Sequence, residues 1–413
     1  MATKLLSVLI VIEHLMKFDR SIGESMTPAK LPLLHDHHTH PLLYAAFNSG
    51  VDLSDATSFE AAADLIMSAS KQPQAPEVFV AHHWKSNQFP IDQKQLESLP
   101  PVAIFNLSLH GVLVNDTARG TLIKRFGEVV SNISDADWFE RNLRHVLNWF
   151  ATLGGSPDAL AAFFEHLEQL GIGSAEEMLL VGEQEIEWFE EAGLSHRTKF
   201  WAAPETFNEL SPSAQKKVHG LKLFTDGAFG AWSAAISDCY LGQPENKGML
   251  IYEDQQLHQI LVDGSEIQKA IAIHAIGDVA IEQTITAIEQ TKVHNKFNLI
   301  RIEHAQLISE AQAIRAKELG IVLSMQPNFN SDSKVYADRL PPALLDANNP
   351  FRMLIDKVGF QPGDDLIFGS DGMPHGVEHG LKEVTKPARK NQKLTVEEFR
   401  LGYTGSSAGD TDS

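Results

Sequence analysis

Cysteine is nearly absent from this chain. A single residue, Cys239, excludes an intrachain disulfide and a cysteine-rich zinc site. Any metal must therefore be held by histidine and carboxylate, and 18 histidines are present. Positive charge is also scarce. Lys and Arg number 34 against 54 Asp and Glu, a net charge of -20. That argues against a nucleic-acid partner, which is met by a basic face. Long apolar runs are missing too. Residues 5–12 are mostly apolar after Lys4, but Glu13 and His14 interrupt them and no small-residue cleavage site follows. The stretch is too short to span a bilayer and is read as an element packed on the main domain. No internal repeat and no long low-complexity tract is found. The absences are compatible with a cytoplasmic globular enzyme, and neither a membrane nor a nucleic acid is expected among its partners.

The second half is regularly punctuated. Short apolar runs end in polar or glycine-containing sequence at Gly220-Leu221-Lys222-Leu223-Phe224, Ile271-Ala272-Ile273-His274, Leu299-Ile300-Arg301-Ile302-Glu303-His304, Ile321-Val322-Leu323-Ser324-Met325 and Leu366-Ile367-Phe368-Gly369-Ser370-Asp371. Each reads as a strand. Helix-like stretches at 279–290 and 310–319 lie between them, which predicts βαβ units and a parallel sheet. Lys222 to His274 is 52 residues, His274 to His304 is 30, and His304 to Asp371 is 67, with room for the Leu323 strand. About 30 residues per unit is the repeat of an eight-stranded α/β (TIM) barrel. Lys199-Phe200-Trp201 and Gly171-Ile172 supply the third and second strands, and the segment holding His38 the first. The domain organisation expected is an N-terminal segment over 1–30, a barrel over 31–405 and a frayed tail over 406–413. A cap over the barrel mouth is expected at 41–150, with strand-like runs at 77–81 and 102–107 and helical sequence at 137–150.

The run Asp36-His37-His38-Thr39-His40 ends the first strand. Alternate residues of a strand share a face, so Asp36, His38 and His40 point one way and His35, His37 and Thr39 the other. The C-terminal ends of barrel strands form the active-site face. The expected strand ends place His38, His40, Lys222, His274, His304 and Asp371 there. Taken singly, a histidine ending a strand is more often a packed, hydrogen-bonded residue, a Ser-Asp pair more often a helix cap, and a strand lysine can snorkel. Six such residues in this order make a metal centre the better reading. Neutral imidazoles at 38, 40, 274 and 304 suit Zn²⁺. A carboxylate at 371 can bind metal and take a proton from a metal-activated water. An ammonium at 222 would repel a dication. Lys222 fits only if neutral or carboxylated by CO₂ to a carbamate bridging two metals; otherwise it pairs with Asp226 or with substrate.

These segments resemble the amidohydrolase superfamily, and within it the YtcJ-like branch, amidohydrolase family 3. The resemblance rests on Asp36-His37-His38-Thr39-His40-Pro41, Leu221-Lys222-Leu223-Phe224-Thr225-Asp226-Gly227, Ile273-His274-Ala275-Ile276-Gly277-Asp278, Arg301-Ile302-Glu303-His304-Ala305-Gln306 and Gly369-Ser370-Asp371. Leu109-His110-Gly111 with Val114-Asn115 is similar to a pattern in the family's cap. The resemblance implies one or two divalent ions. His38 and His40 would bind the first, the Lys222 carbamate would bridge, and His274 and His304 would bind the second. Asp371 would ligate the first and shuttle the proton. It implies hydrolysis of a C–N bond in a non-peptide amide, of the N-acyl or N-formyl amine type, by a metal-bound hydroxide. Hydrolysis of another ester-type bond and a non-catalytic metal-binding barrel are the alternatives.

Lesser expectations follow. His110, Gln326 and His375 are candidate substrate contacts. His82-His83-Trp84 stands where the family often has a Gly-Trp pair, and neither histidine is expected to be a ligand. Asp278, four residues after His274, is either a supporting residue of the site or only a helix N-cap. Glu303, by alternation with His304, is expected to face the sheet–helix layer. The family's small β-sandwich looks largely missing, which would expose apolar barrel surface and favour a homo-oligomer. Trp232 stands where a smaller or basic residue is usual.

Overall fold

Residues 33–404 are described by the computed structural model, apart from 73–75, 86–87 and 107–111. The expected N-terminal segment, His110 and the tail at 406–413 lie outside the described residues. The described strands, in chain order, are β1 (Leu34–Thr39), β2 (Val51–Asp52), β3 (Phe79–Trp84), β4 (Val102–Asn106), β5 (Val112–Val114), β6 (Ile172–Leu180), β7 (Thr198–Ala202), β8 (Val218–Phe224), β9 (Ala270–Ala275), β10 (Ile300–His304), β11 (Val322–Met325) and β12 (Leu366–Phe368).

Two compact units are formed. In the larger one, the strands run parallel in the order β1-β6-β7-β8-β9-β10-β11-β12. This is the expected (β/α)8 barrel, nearly closed. Its strands are largely buried because both faces are covered; β9 and β12 are buried along their whole length. Met178, Trp201, Ala272, Val322 and Ile367 pack together in one apolar cluster. Helices follow the strands as the periodicity predicts. Asp278–Thr291 follows β9, and Glu310–Glu318 follows β10 from a capping box between Ser309 and Gln312.

The barrel's seam lies between β1 and β12. There the Asp371 N–H donates to the His38 carbonyl at 2.6 Å. Asp36 accepts the Ser370 N–H at 2.8 Å and the Ser370 hydroxyl at 2.5 Å. Gly369 makes this approach possible, since a Cβ on it would lie 2.3 Å from the His38 nitrogen. Gly369→Ala is expected to cost about 1–3 kcal/mol, the range for overpacking. Chemical denaturation measures it, and an unchanged midpoint would remove the seam argument.

The smaller unit comprises Pro41–Glu165 and Gln184–Leu194. Its sheet has the order β2-β3-β4-β5, with β2, β3 and β4 parallel and β5 antiparallel to β4. The two runs expected there are β3 and β4. β2 and β5 were not anticipated, because two or three residues carry no readable alternation. The helix read at 137–150 spans Ala136–Gly154. Among the described residues there is no third sheet, and no helix is long and apolar enough to cross a membrane.

Candidate metal centre

Four of the expected imidazoles come together. Ring centroids lie 4.7 Å apart for His38 and His304, 4.5 Å for His274 and His304, and 5.8 Å for His38 and His40. Asp371 joins them across the seam, its Oδ1 at 3.3 Å from His40 Nε2 and 3.8 Å from His38 Nε2. His38, His40 and Asp371 each offer one donor atom within 4.8 Å of the others. Lys222 is buried in β8, its ammonium 5.0 Å from the Phe224 ring centroid. Its charge is felt at both His38 and His304.

The tautomers are fixed by neighbours. His38 Nδ1 donates to Glu303 Oε2 at 2.5 Å, and His304 Nδ1 donates to Gln326 Oε1 at 2.7 Å. Burial holds both imidazoles well below their usual range; Lys222 and His40 add to this at His38, and His274 and His38 at His304. A neutral ring with its N–H spent on Nδ1 carries a lone pair on Nε2. His274 donates from Nε2 to the Gly227 carbonyl at 3.1 Å, which leaves its Nδ1 as the lone pair. Imidazoles with a nitrogen lone pair and a carboxylate are the donor set a zinc-class ion takes, and their hydrogen-bonded backing is the usual support of metal-binding histidines. The residues fit the ion. His40 differs. Burial opposes its charge, but Asp371 and Glu177 raise it to about 9.

Strand ends here are strained. His304, Ala305 and Asp371 have φ of 70°, 46° and 54°. Non-glycine residues in that region cost on the order of 1–3 kcal/mol each and gather at functional sites. The turn at His304 also corrects an expectation. Glu303 does not face the sheet–helix layer; it reaches His38 and Arg301. The break in extended geometry after Glu303 lets neighbouring side chains serve the same centre.

A second correction concerns β1. His35 and His37 do keep apart from His38 and His40, meeting instead at Glu176 Oε1, at 3.2 and 3.1 Å. Strict alternation nonetheless fails, because the register against β6 shifts between Asp36 and Thr39. Arg301 joins the two sets. It donates to Glu303 at 2.7 Å, Glu176 at 2.6 Å, the His37 carbonyl at 2.7 Å and Ser324 at 3.0 Å. Nothing in the sequence reading singled out Arg301 or Glu176. The available signal was charge inside an apolar strand.

The remaining expected residues are placed as follows. Gln326 is buried and spent on His304. His375 Nε2 lies 2.8 Å from the Thr39 hydroxyl, with burial pushing its ring down to about 3. Asp226 accepts three backbone N–H groups, from Ala235, Ile276 and Gly277, and burial raises it to about 7. Asp278 is not the N-cap, a position Gly277 takes; as first helical residue it accepts the Ser237 N–H at 2.9 Å. The Arg339 guanidinium stacks on Trp232 at 5.0 Å.

Glu303→Gln tests the backing of His38. The amide can turn either its oxygen or its NH₂ to Nδ1, so the tautomer is no longer enforced. Metal affinity is expected to fall about 10–100-fold, read by competition with a chromophoric chelator. Unchanged affinity would reduce Glu303 to a partner of Arg301.

A parallel barrel with histidines and an aspartate at its strand ends carries them on the face where barrel enzymes hold their active sites. The amidohydrolase family model matches residues 30–379, and the chain belongs to that family. It is 24% identical to the putative amidohydrolase YtcJ of Bacillus subtilis (strain 168), covering 91% of this chain and 78% of the relative. It is 31% identical over 110 residues to the N-substituted formamide deformylase of Arthrobacter pascens, 26% of this chain and 20% of that protein. The crystal structure of an uncharacterized metal-dependent hydrolase from Pyrococcus furiosus has the same fold, with a TM-score of 0.70 at 20% identity over 89% of this chain and 80% of that one.

Proposed function

We propose that this member of the family is a metal-dependent cytoplasmic hydrolase of small molecules that cleaves a C–N bond in a non-peptide amide of the N-acyl or N-formyl amine type. The carrying observation is Asp371 Oδ1 set beside His38 and His40 while Glu303 fixes the His38 tautomer. His38, His40 and Asp371 would hold one divalent ion, and His274, His304 and a carbamate on Lys222 a second. Bound there, the metal supplies Lewis acidity toward the substrate carbonyl and the attacking water. Asp371 then moves the proton. It accepts one from the water as the C–O bond forms and returns it to the leaving nitrogen as the C–N bond breaks. The products are a carboxylic acid and an amine.

The test is a panel of N-formyl and N-acyl amines beside matched esters and phosphoesters, run with metal analysis of the purified chain. Amide turnover is expected, with two metals bound by the barrel residues, counted as the equivalents lost on His38→Ala and His274→Ala. Turnover of esters alone would overturn the bond assignment. One barrel metal per chain would remove the bridging carbamate. Full metal occupancy with no turnover would favour a binding protein.

A further inference from the structure

The smaller unit contains a cluster that the barrel chemistry does not use. His82 and His83 precede Trp84, the last residue of β3, and Asp52 ends β2, paired in register with His82. His82 Nδ1 and His83 Nδ1 face each other at 3.1 Å, and His83 Nδ1 lies 2.6 Å from Asp52 Oδ1. One donor atom from each residue falls within 4.8 Å of the other two. Both rings are buried and lie edge to face at 4.5 Å. We propose that Asp52, His82 and His83 form a separate site for a divalent transition-metal ion of the zinc class, with one coordination position left to water.

Hydrogen bonding among the three leaves one close contact unexplained. His82 donates to the backbone carbonyl of Phe47. A neutral imidazole with its one N–H so committed presents a lone pair on its other nitrogen. Asp52 is an acceptor, already oriented by the Ser54 N–H at 2.8 Å. His83 Nδ1 stands between two acceptors. With a proton it can point at only one of them. A cation relieves both contacts together. Donors around a tetrahedral zinc at about 2.0–2.1 Å sit roughly 3.3 Å apart, so the His82–His83 pair is near that spacing and the His83–Asp52 pair must open by about 0.7 Å, which the exposed Asp52 side chain can supply.

The backbone supplies an independent observation. His83 has φ of 66°, and the register against β4 breaks between Ala81 and Trp84. Such strain is retained where the geometry serves a function. The irregularity turns His83 toward His82, when alternation would send adjacent residues to opposite faces. The ion would join the two-residue edge strand β2 to β3, a pairing too short to hold by its own backbone bonds. The site is assigned from the smaller unit alone and does not depend on the barrel reading.

The experiment uses the full chain, stripped by chelator and titrated with Co²⁺, with metal per chain measured by plasma mass spectrometry. His83→Gly suits the left-handed backbone, and Asp52→Asn is a second, conservative variant at a partly exposed position. Wild type is expected to hold one equivalent more than either variant, and the tetrahedral cobalt absorption of that equivalent to be lost. Affinity at this site should fall by at least about 100-fold in each variant, beyond the effect of losing a supporting group. Equal metal content and identical cobalt spectra in wild type and both folded variants would overturn the site and leave a hydrogen-bonded triad. Losing only the barrel's equivalents on His38→Ala would leave the extra ion in place and separate the two centres.

Discussion

Asp371→Asn is expected to lower kcat by about 10²–10⁴-fold on any amide that the wild type turns over, the usual worth of a positioned acid–base group. Asparagine keeps the shape and can still offer an oxygen to a metal, so metal content should fall little. It cannot accept a proton and return it. The backbone should tolerate the change, because asparagine is one of the residues that adopts the left-handed φ of 54° found there. The hydrogen bond from its N–H to the His38 carbonyl is also retained. The measurement is steady-state kinetics beside metal analysis. A variant with full metal and undiminished kcat would place the proton transfer elsewhere, and His40 would then be the next group to replace.

Arg301→Met should produce the largest loss of stability. Arg301 is fully buried and clamps Glu176 and Glu303. Removing one partner of a buried ion pair costs about 3–5 kcal/mol, because the remaining charge is left uncompensated. Here two carboxylates would be stranded, and Glu303 would also lose part of what holds it against His38. Burial alone would raise Glu176, yet Arg301 and the hydrogen bonds from His35 and His37 hold it well below the usual carboxylate range. The sign follows from that direction. Its contribution is complete above the ordinary glutamate range and is lost as pH falls toward the depressed folded value. Denaturant midpoints at neutral and acid pH test this. Wild type should lose stability on acidification through this group, and Arg301→Met should lack that part of the dependence. A midpoint within experimental error of wild type would show that the clamp contributes nothing net.

Much of the barrel was legible. Runs such as Ile271-Ala272-Ile273 and Leu366-Ile367-Phe368 are apolar on both faces, which only a covered parallel strand requires. His274, His304 and Asp371 end such runs, so their meeting at one face follows from the fold class. Other parts were not legible. β2 and β5 are too short to show a period. Glu303 was assigned to the wrong face because alternation assumes extended backbone, and His304 leaves it. His82 and His83 were not expected to be ligands, and their approach to Asp52, some thirty positions earlier, leaves no local pattern in the sequence.

The sequence by itself determined the class of the chain: histidine and carboxylate in place of cysteine, apolar runs of strand length, and metal-competent residues at their ends. These are local properties, set by side-chain chemistry and short-range periodicity. The tertiary structure decided which nitrogen of each histidine carries its proton, that Arg301 wires Glu176 to Glu303, and that the seam brings Asp371 to His38. Each depends on closure of the barrel or on a single turn of backbone, and no periodicity reports a contact between residues hundreds of positions apart.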